Sequence, residues 1–122
     1  MYEIHANVGR GRIYITLKGK VGPEEEQAAL AALLVELARF RSRFDVITDI
    51  SELEPLCEAA IDCARIGGKA LATHGARKIV HVVGRSAQAA IQFEHYARET
   101  GYSAHLAFTL KEAEAMFDGD LA

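Results

Sequence analysis

The apolar pattern of this 122-residue chain switches repeatedly between a period of two and a period near 3.6, and few folds accommodate that alternation. Tyr2, Ile4, Ala6 and Val8 alternate with Glu3, His5 and Asn7, the mark of a half-buried strand. After Gly9-Arg10-Gly11, Ile13, Ile15 and Leu17 alternate with Tyr14, Thr16 and Lys18, so the two runs form a hairpin. Gly22-Pro23 opens a helix with Glu24, Glu25 and Glu26 at its positive end. Leu30, Leu33, Leu34 and Leu37 form its inward stripe, and Arg39, Arg41 and Arg43 lie toward its negative end.

Phe44–Ile50 reads as a third strand, followed by Ser51 and by a helix that starts at or after Pro55 and ends near Thr73. That helix is rich in small residues, and Gly67-Gly68 inside it implies close packing on the sheet. Lys78–Val83 is nearly all apolar, as a central parallel strand is. Ser86 caps a helix expected to reach Thr100. Tyr102, Ala104, Leu106 and Phe108 form a fifth strand, and Thr109 with Glu112 is a capping box for a last helix that turns Leu110, Ala113, Met116 and Phe117 inward. The expected order is β-β-α-β-α-β-α-β-α. It predicts one α/β domain over residues 1–122, a mixed and mostly parallel five-stranded sheet with an antiparallel N-terminal edge hairpin, covered by four helices.

Composition removes several function classes. Fourteen basic and seventeen acidic residues leave a net charge of −3 with no basic stripe, so a nucleic-acid partner is not expected. No apolar run reaches membrane-span length, and MYEIHANV lacks the layout of a signal peptide, so the expected location is the cytoplasm. Cys57 and Cys63 would stand about 9 Å apart on one helix, too far for a disulfide, and read as small buried thiols. The histidines at 5, 74, 81, 95 and 105 fall at no metal-binding spacing, although His81 and His105 would approach each other if their strands were neighbours. There is no GxSxG elbow and no nucleophile–base pair, so neither an enzyme nor a cofactor or metal is expected.

In open α/β sheets contacts gather at the carboxyl ends of the strands, which directs attention to Asp49-Ile50-Ser51. Asp49 and Ser51 suit a binding surface there. The simpler role for Asp49 is to accept backbone N–H bonds that hold a turn. Glu52, Glu54 and Glu58 extend the acidic segment toward the next helix, where a partner protein would meet it through charge. Arg85 and Ser86, at a helix start, form a weaker candidate for an anion or ligand.

The opening hairpin, the strand VITDIS, the small-residue helix after it and the ending AFTLKEAEAMF resemble the STAS domain, the fold of anti-sigma-factor antagonists, and its SpoIIAA-like relatives. The resemblance spans nearly the whole chain. It implies a regulatory protein-binding module whose partner is an anti-sigma-factor-like regulator. In phospho-regulated members an Asp-Ser pair early in the next helix supplies the phosphoacceptor. Here the usual gap brings Cys57-Glu58 to that position, and the alternative register brings Asp62-Cys63. Neither offers a hydroxyl, so the phospho-switch is not carried over. A small-molecule or lipid pocket beside the sheet is the alternative function, since small side chains on the second helix leave room there. The edge strand Tyr2–Val8 is also open to pairing in a homodimer.

Overall fold

A computed structural model of the chain describes residues 1–84, 88, 91, 95 and 104–118. Five strands form one sheet in the order β1 (Tyr2–Asn7), β2 (Arg12–Gly19), β3 (Phe44–Leu53), β4 (Ala76–Val82) and β5 (Ala104–Ala107). β1 and β2 pair antiparallel and the other neighbours pair parallel, which is the expected mixed sheet with its edge hairpin. The described helices are α1 (Pro23–Leu37), α2 (Glu58–Thr73) and α3 (Leu110–Asp118). Among the described residues there are thus three helices rather than the four expected, and the helix expected over Ser86–Thr100 lies largely outside them. No described helix is long and apolar enough to cross a membrane.

The hairpin register follows from alternation. Ile4 pairs with Ile15 and Ala6 with Ile13, placing the apolar residues of both strands on one face. Gly11 takes the left-handed conformation in the turn (φ 65°), and its N–H donates to the Val8 carbonyl at 3.1 Å. Ile13 and Ile15 join Val46 and Ile79 in a core roofed by Leu33 and Leu37 of α1 and Leu71 of α2. Leu17 and Ile50 join Leu53, Leu56, Ala60 and Val83 in a second cluster at the carboxyl end of the sheet. The opposite face is covered by α3, where Ala113 and Phe117 pack on Ile47, Val80 and Val82. Arg12, buried under α3, pairs with Glu114, and its guanidinium carbon lies 4.7 Å from the Phe117 ring centroid.

Several expectations need correction. β3 does not stop at Ile50 but runs to Leu53, so Asp49 and Ser51 lie within the strand. It carries a β-bulge there. From Thr16 to Lys18 β2 advances two residues while β3 advances three, from Asp49 to Glu52. α1 stops at Leu37, leaving all three arginines beyond it, and Leu34 is 43% exposed. Its buried stripe is Glu26, Ala29, Leu33 and Leu37. Gly67 faces Leu30 and Leu33 of α1 rather than the sheet. Cys57 is exposed and Cys63 half-buried, and both are free thiols. Leu110 is 45% exposed because the α3 stripe begins only at Ala113. In register His105 stands opposite Val80 and His81 opposite Leu106, so alternation sends the two histidines to opposite faces.

Candidate functional site

The candidate surface begins with a local constraint. The Ser51 hydroxyl donates to Asp49 Oδ1 at 2.6 Å, and the Ser51 backbone N–H donates to the same oxygen at 3.1 Å. One carboxylate thus satisfies two groups next to the bulge, where ladder bonds are interrupted. Both residues are half-buried. Gly84, just after β4, packs against this pair. Its φ is +54°, and a Cβ placed on it would stand 2.8 Å from Ser51 Cβ.

Beyond the bulge the chain is fastened at alternate points. Leu53 and Leu56 are 3% and 6% exposed, and the Glu54 N–H donates to the Gly19 carbonyl at 3.0 Å. Between these anchors the acidic side chains turn outward. Glu52 pairs with Lys18 at 3.1 Å, both largely exposed, and Glu54 and Glu58 are exposed. Such an exposed pair contributes little to stability, on the order of 0–1 kcal/mol. Cys57 is the N-cap of α2 with no side-chain cap bond, and Glu58 opens its first turn, where the helix dipole favours a negative charge. The segment therefore exposes Glu52 at the end of β3, Glu54 on the held loop and Glu58 at the start of α2. Asp49 and Ser51 lie inside the strand before it. Arg85 and Ser86 lie outside the described residues.

On the sheet face that α3 packs against, the part it leaves open holds a groove of about 230 Å³, lined by Glu3, His5, Tyr14, Thr16, Asp49 and Leu110 among others. The His5 and Tyr14 rings stack across β1 and β2 at 6.3 Å. Burial, and then a hydrogen bond to Glu114, raise the Tyr14 pKa. Among the described residues no three His, Cys, Asp or Glu side chains are grouped to hold a metal.

A second cavity, of about 70 Å³, lies between the other face of the sheet and helices α1 and α2. Ile15, Leu17, Thr48 and His81 floor it, Glu26, Ala29 and Leu33 form one wall, and Cys63, Ala64 and Gly67 form the other. Glu26 is only 4% exposed, and burial first, then the Glu25 charge, push its pKa up to about 7. Burial lowers that of His81 to about 4. Burial, then the Glu26 charge, raise that of Cys63. Sequence reasoning missed Glu26, taking it as one of three solvated acids at a helix start. The available signal was its spacing of three, seven and eleven from Ala29, Leu33 and Leu37.

No family model matches the chain, and no curated protein matches it significantly. Among solved structures, it is similar to the anti-sigma factor antagonist SpoIIAA in its unphosphorylated form, with a TM-score of 0.65, 10% identity and coverage of 98% of both chains. It is also similar to an uncharacterized protein of the DUF3478 family from Shewanella loihica PV-4, with a TM-score of 0.69, 16% identity and coverage of 95% of this chain and 91% of the other. That protein is itself described as having a SpoIIAA-like fold. At such identities the likeness is one of fold, and the strand order, hairpin and helices of this chain form a STAS/SpoIIAA-like fold.

Proposed function

We propose that this chain is a non-catalytic regulatory module that binds another protein, an anti-sigma-factor-like regulator, in the cytoplasm, and that it is not switched by phosphorylation. The observation that carries this is the held acidic loop. Leu53 and Leu56 are buried on either side of an outward-facing Glu54, with Glu52 and Glu58 exposed nearby. A fixed loop presents its charges at little ordering cost on binding, and its carboxylates select a basic counterpart. Asp49 and Ser51 hold the strand end from which the loop departs. The likeness to SpoIIAA, an anti-sigma factor antagonist, supports the choice of partner class. The start of α2 supports the absence of a switch, since Cys57, Glu58, Ala59, Ala60 and Ile61 include no hydroxyl.

Affinity capture tests this with wild type and a Glu52→Lys/Glu54→Lys/Glu58→Lys variant, followed by titration of each purified partner at two salt concentrations. Loss of a salt-sensitive partner on charge reversal is expected. Unchanged capture of every partner excludes this surface. Phosphate found on Ser51 of protein isolated from its cells excludes the unswitched reading.

A small-ligand domain is the second reading, favoured by the cavity beside the sheet. At about 70 Å³ it takes no whole lipid, since an engineered cavity of about 150 Å³ takes one benzene.

A further inference from the structure

We infer that the cavity between α1, α2 and the sheet is a site for a short-chain alkylamine, its ammonium paired with Glu26 and its alkyl chain against Ile15, Leu33 and Leu71. The inference rests on the small-ligand reading above and assigns that ligand its chemistry.

The first support is Glu26 itself. The residue is 4% exposed, it lines the cavity, and no described residue hydrogen-bonds its buried Oε1. A buried polar atom without a partner costs about 1–3 kcal/mol. A single Ala or Leu at this stripe position would close the helix–sheet packing at no such cost. The acid is the exception in an apolar wall made by Ala29 and Leu33 on the same helix.

The second support is the shape of the space. It exists because α2 presents Cys63, Ala64, Gly67 and Gly68 where larger side chains would fill it. Gly67 is not forced by a close approach, since a Cβ there would meet Leu33 and Leu30 only at 3.8 and 3.9 Å. Room has been left beside a carboxyl that wants a donor. Ile4, Leu30 and Cys63 line the cavity while half-buried, which gives it a mouth for the end of a chain longer than the space itself.

The third support is the electrostatic selection. The titratable groups facing Glu26 among the described residues are Cys63 on α2 and His81 on β4, with Glu25 beside it on α1, and the β1 and β2 residues of the lining are apolar. His81 stays neutral near pH 7, so no described cationic side chain of the lining balances a Glu26 carboxylate. An ammonium supplies that balance, a carboxylic acid adds a second negative charge, and an alcohol donates one hydrogen bond without charge. Pairing favours the ionised form of Glu26, so binding releases a proton wherever the free protein holds Glu26 protonated.

The test uses n-butylamine, n-butanol and butyrate as probes, with chemical-shift titration of isotope-labelled protein at pH 5, 6, 7 and 8. Saturable n-butylamine binding is expected, with contacts from the methylenes next to its nitrogen to the Leu33 and Leu71 methyls and from its terminal methyl to Leu30 at the mouth. Affinity should rise close to tenfold per pH unit from 5 toward 7 and level off above it. Glu26→Gln, confirmed folded by its spectrum, should weaken the amine at least tenfold and leave n-butanol unchanged. If n-butanol binds in the cavity as tightly as the amine, or Glu26→Gln binds the amine unchanged, the pairing is wrong while the small-ligand reading stands. If no probe reaches the cavity, both are overturned.

Discussion

Glu26 on the α1 wall and His81 on the β4 floor line one cavity, and burial drives both toward their neutral forms. For an acid this raises the folded pKa, from 4.5 to about 7. For a base it lowers it, from 6.5 to about 4. Their effects on stability therefore run in opposite directions with pH.

The folded protein holds more protons than the unfolded chain on Glu26 between pH 4.5 and about 7, so that contribution is full below 4.5 and lost as pH rises toward 7. The His81 contribution is full above 6.5 and lost as pH falls toward 4. At about 1.4 kcal/mol per pH unit, each is worth on the order of 3 kcal/mol, and in the overlapping window they offset one another. Urea unfolding from pH 4.5 to 7 resolves them by difference. Glu26→Gln should gain stability over wild type as pH rises, and His81→Leu should lose it. Differences that stay flat across the window would show that neither group is desolvated as described.

The alternation of periods was enough to recover the hairpin, the five strands along the chain and the mostly parallel sheet, because residues such as Ile4, Ile15 and Val46 carry their face in their spacing. The Ser51–Asp49 bond was within reach of sequence reasoning, since its partners are two residues apart. The bulge at Ile50-Ser51 was not, because it is defined by what β2 does opposite. Glu26 was hidden by Glu24 and Glu25. Three acids in a row read as a solvated helix start, while only the third falls on the buried stripe. The meeting of Gly84 with Ser51 joins two strands and leaves no trace in local pattern.

Gly67→Ala should stabilise the protein. The position is helical, the added methyl makes ordinary contacts with Leu30 and Leu33, and Gly costs about 1 kcal/mol relative to Ala inside a helix. A rise of about 1 kcal/mol in unfolding free energy is expected from chemical denaturation. A loss instead would mean that α1 and α2 approach more closely than these contacts allow.

Arg12 and Glu114 join β2 to α3 under Phe117, and the cation is the buried partner. Glu114→Ala leaves that guanidinium without its carboxylate and removes the acceptor of Tyr14 as well. The expected cost is about 3 kcal/mol, within the range for breaking a buried pair from one side. Arg12→Met combined with Glu114→Leu removes both charges and should recover most of that loss. Thermal denaturation of the three proteins decides the matter. A double variant no more stable than Glu114→Ala would show that packing, not the loss of the ion pair, sets the cost.

Gly84→Ala tests how tightly β4 is seated against the strand end that feeds the acidic loop. Two penalties act there. The left-handed backbone at φ +54° costs a residue with a Cβ about 1–2 kcal/mol, and the new methyl would stand 2.8 Å from Ser51 Cβ. Ser51→Gly removes the second penalty and leaves the first, apart from a 3.5 Å contact with Ser51 Cα. The single variant should therefore lose about 2 kcal/mol or more. The Gly84→Ala change should cost at least 0.5 kcal/mol less in a Ser51→Gly background, a coupling of the size that residues in contact show. Additive losses would mean that the chain after β4 moves aside to admit the methyl, and then Gly84 would be required for its backbone conformation alone.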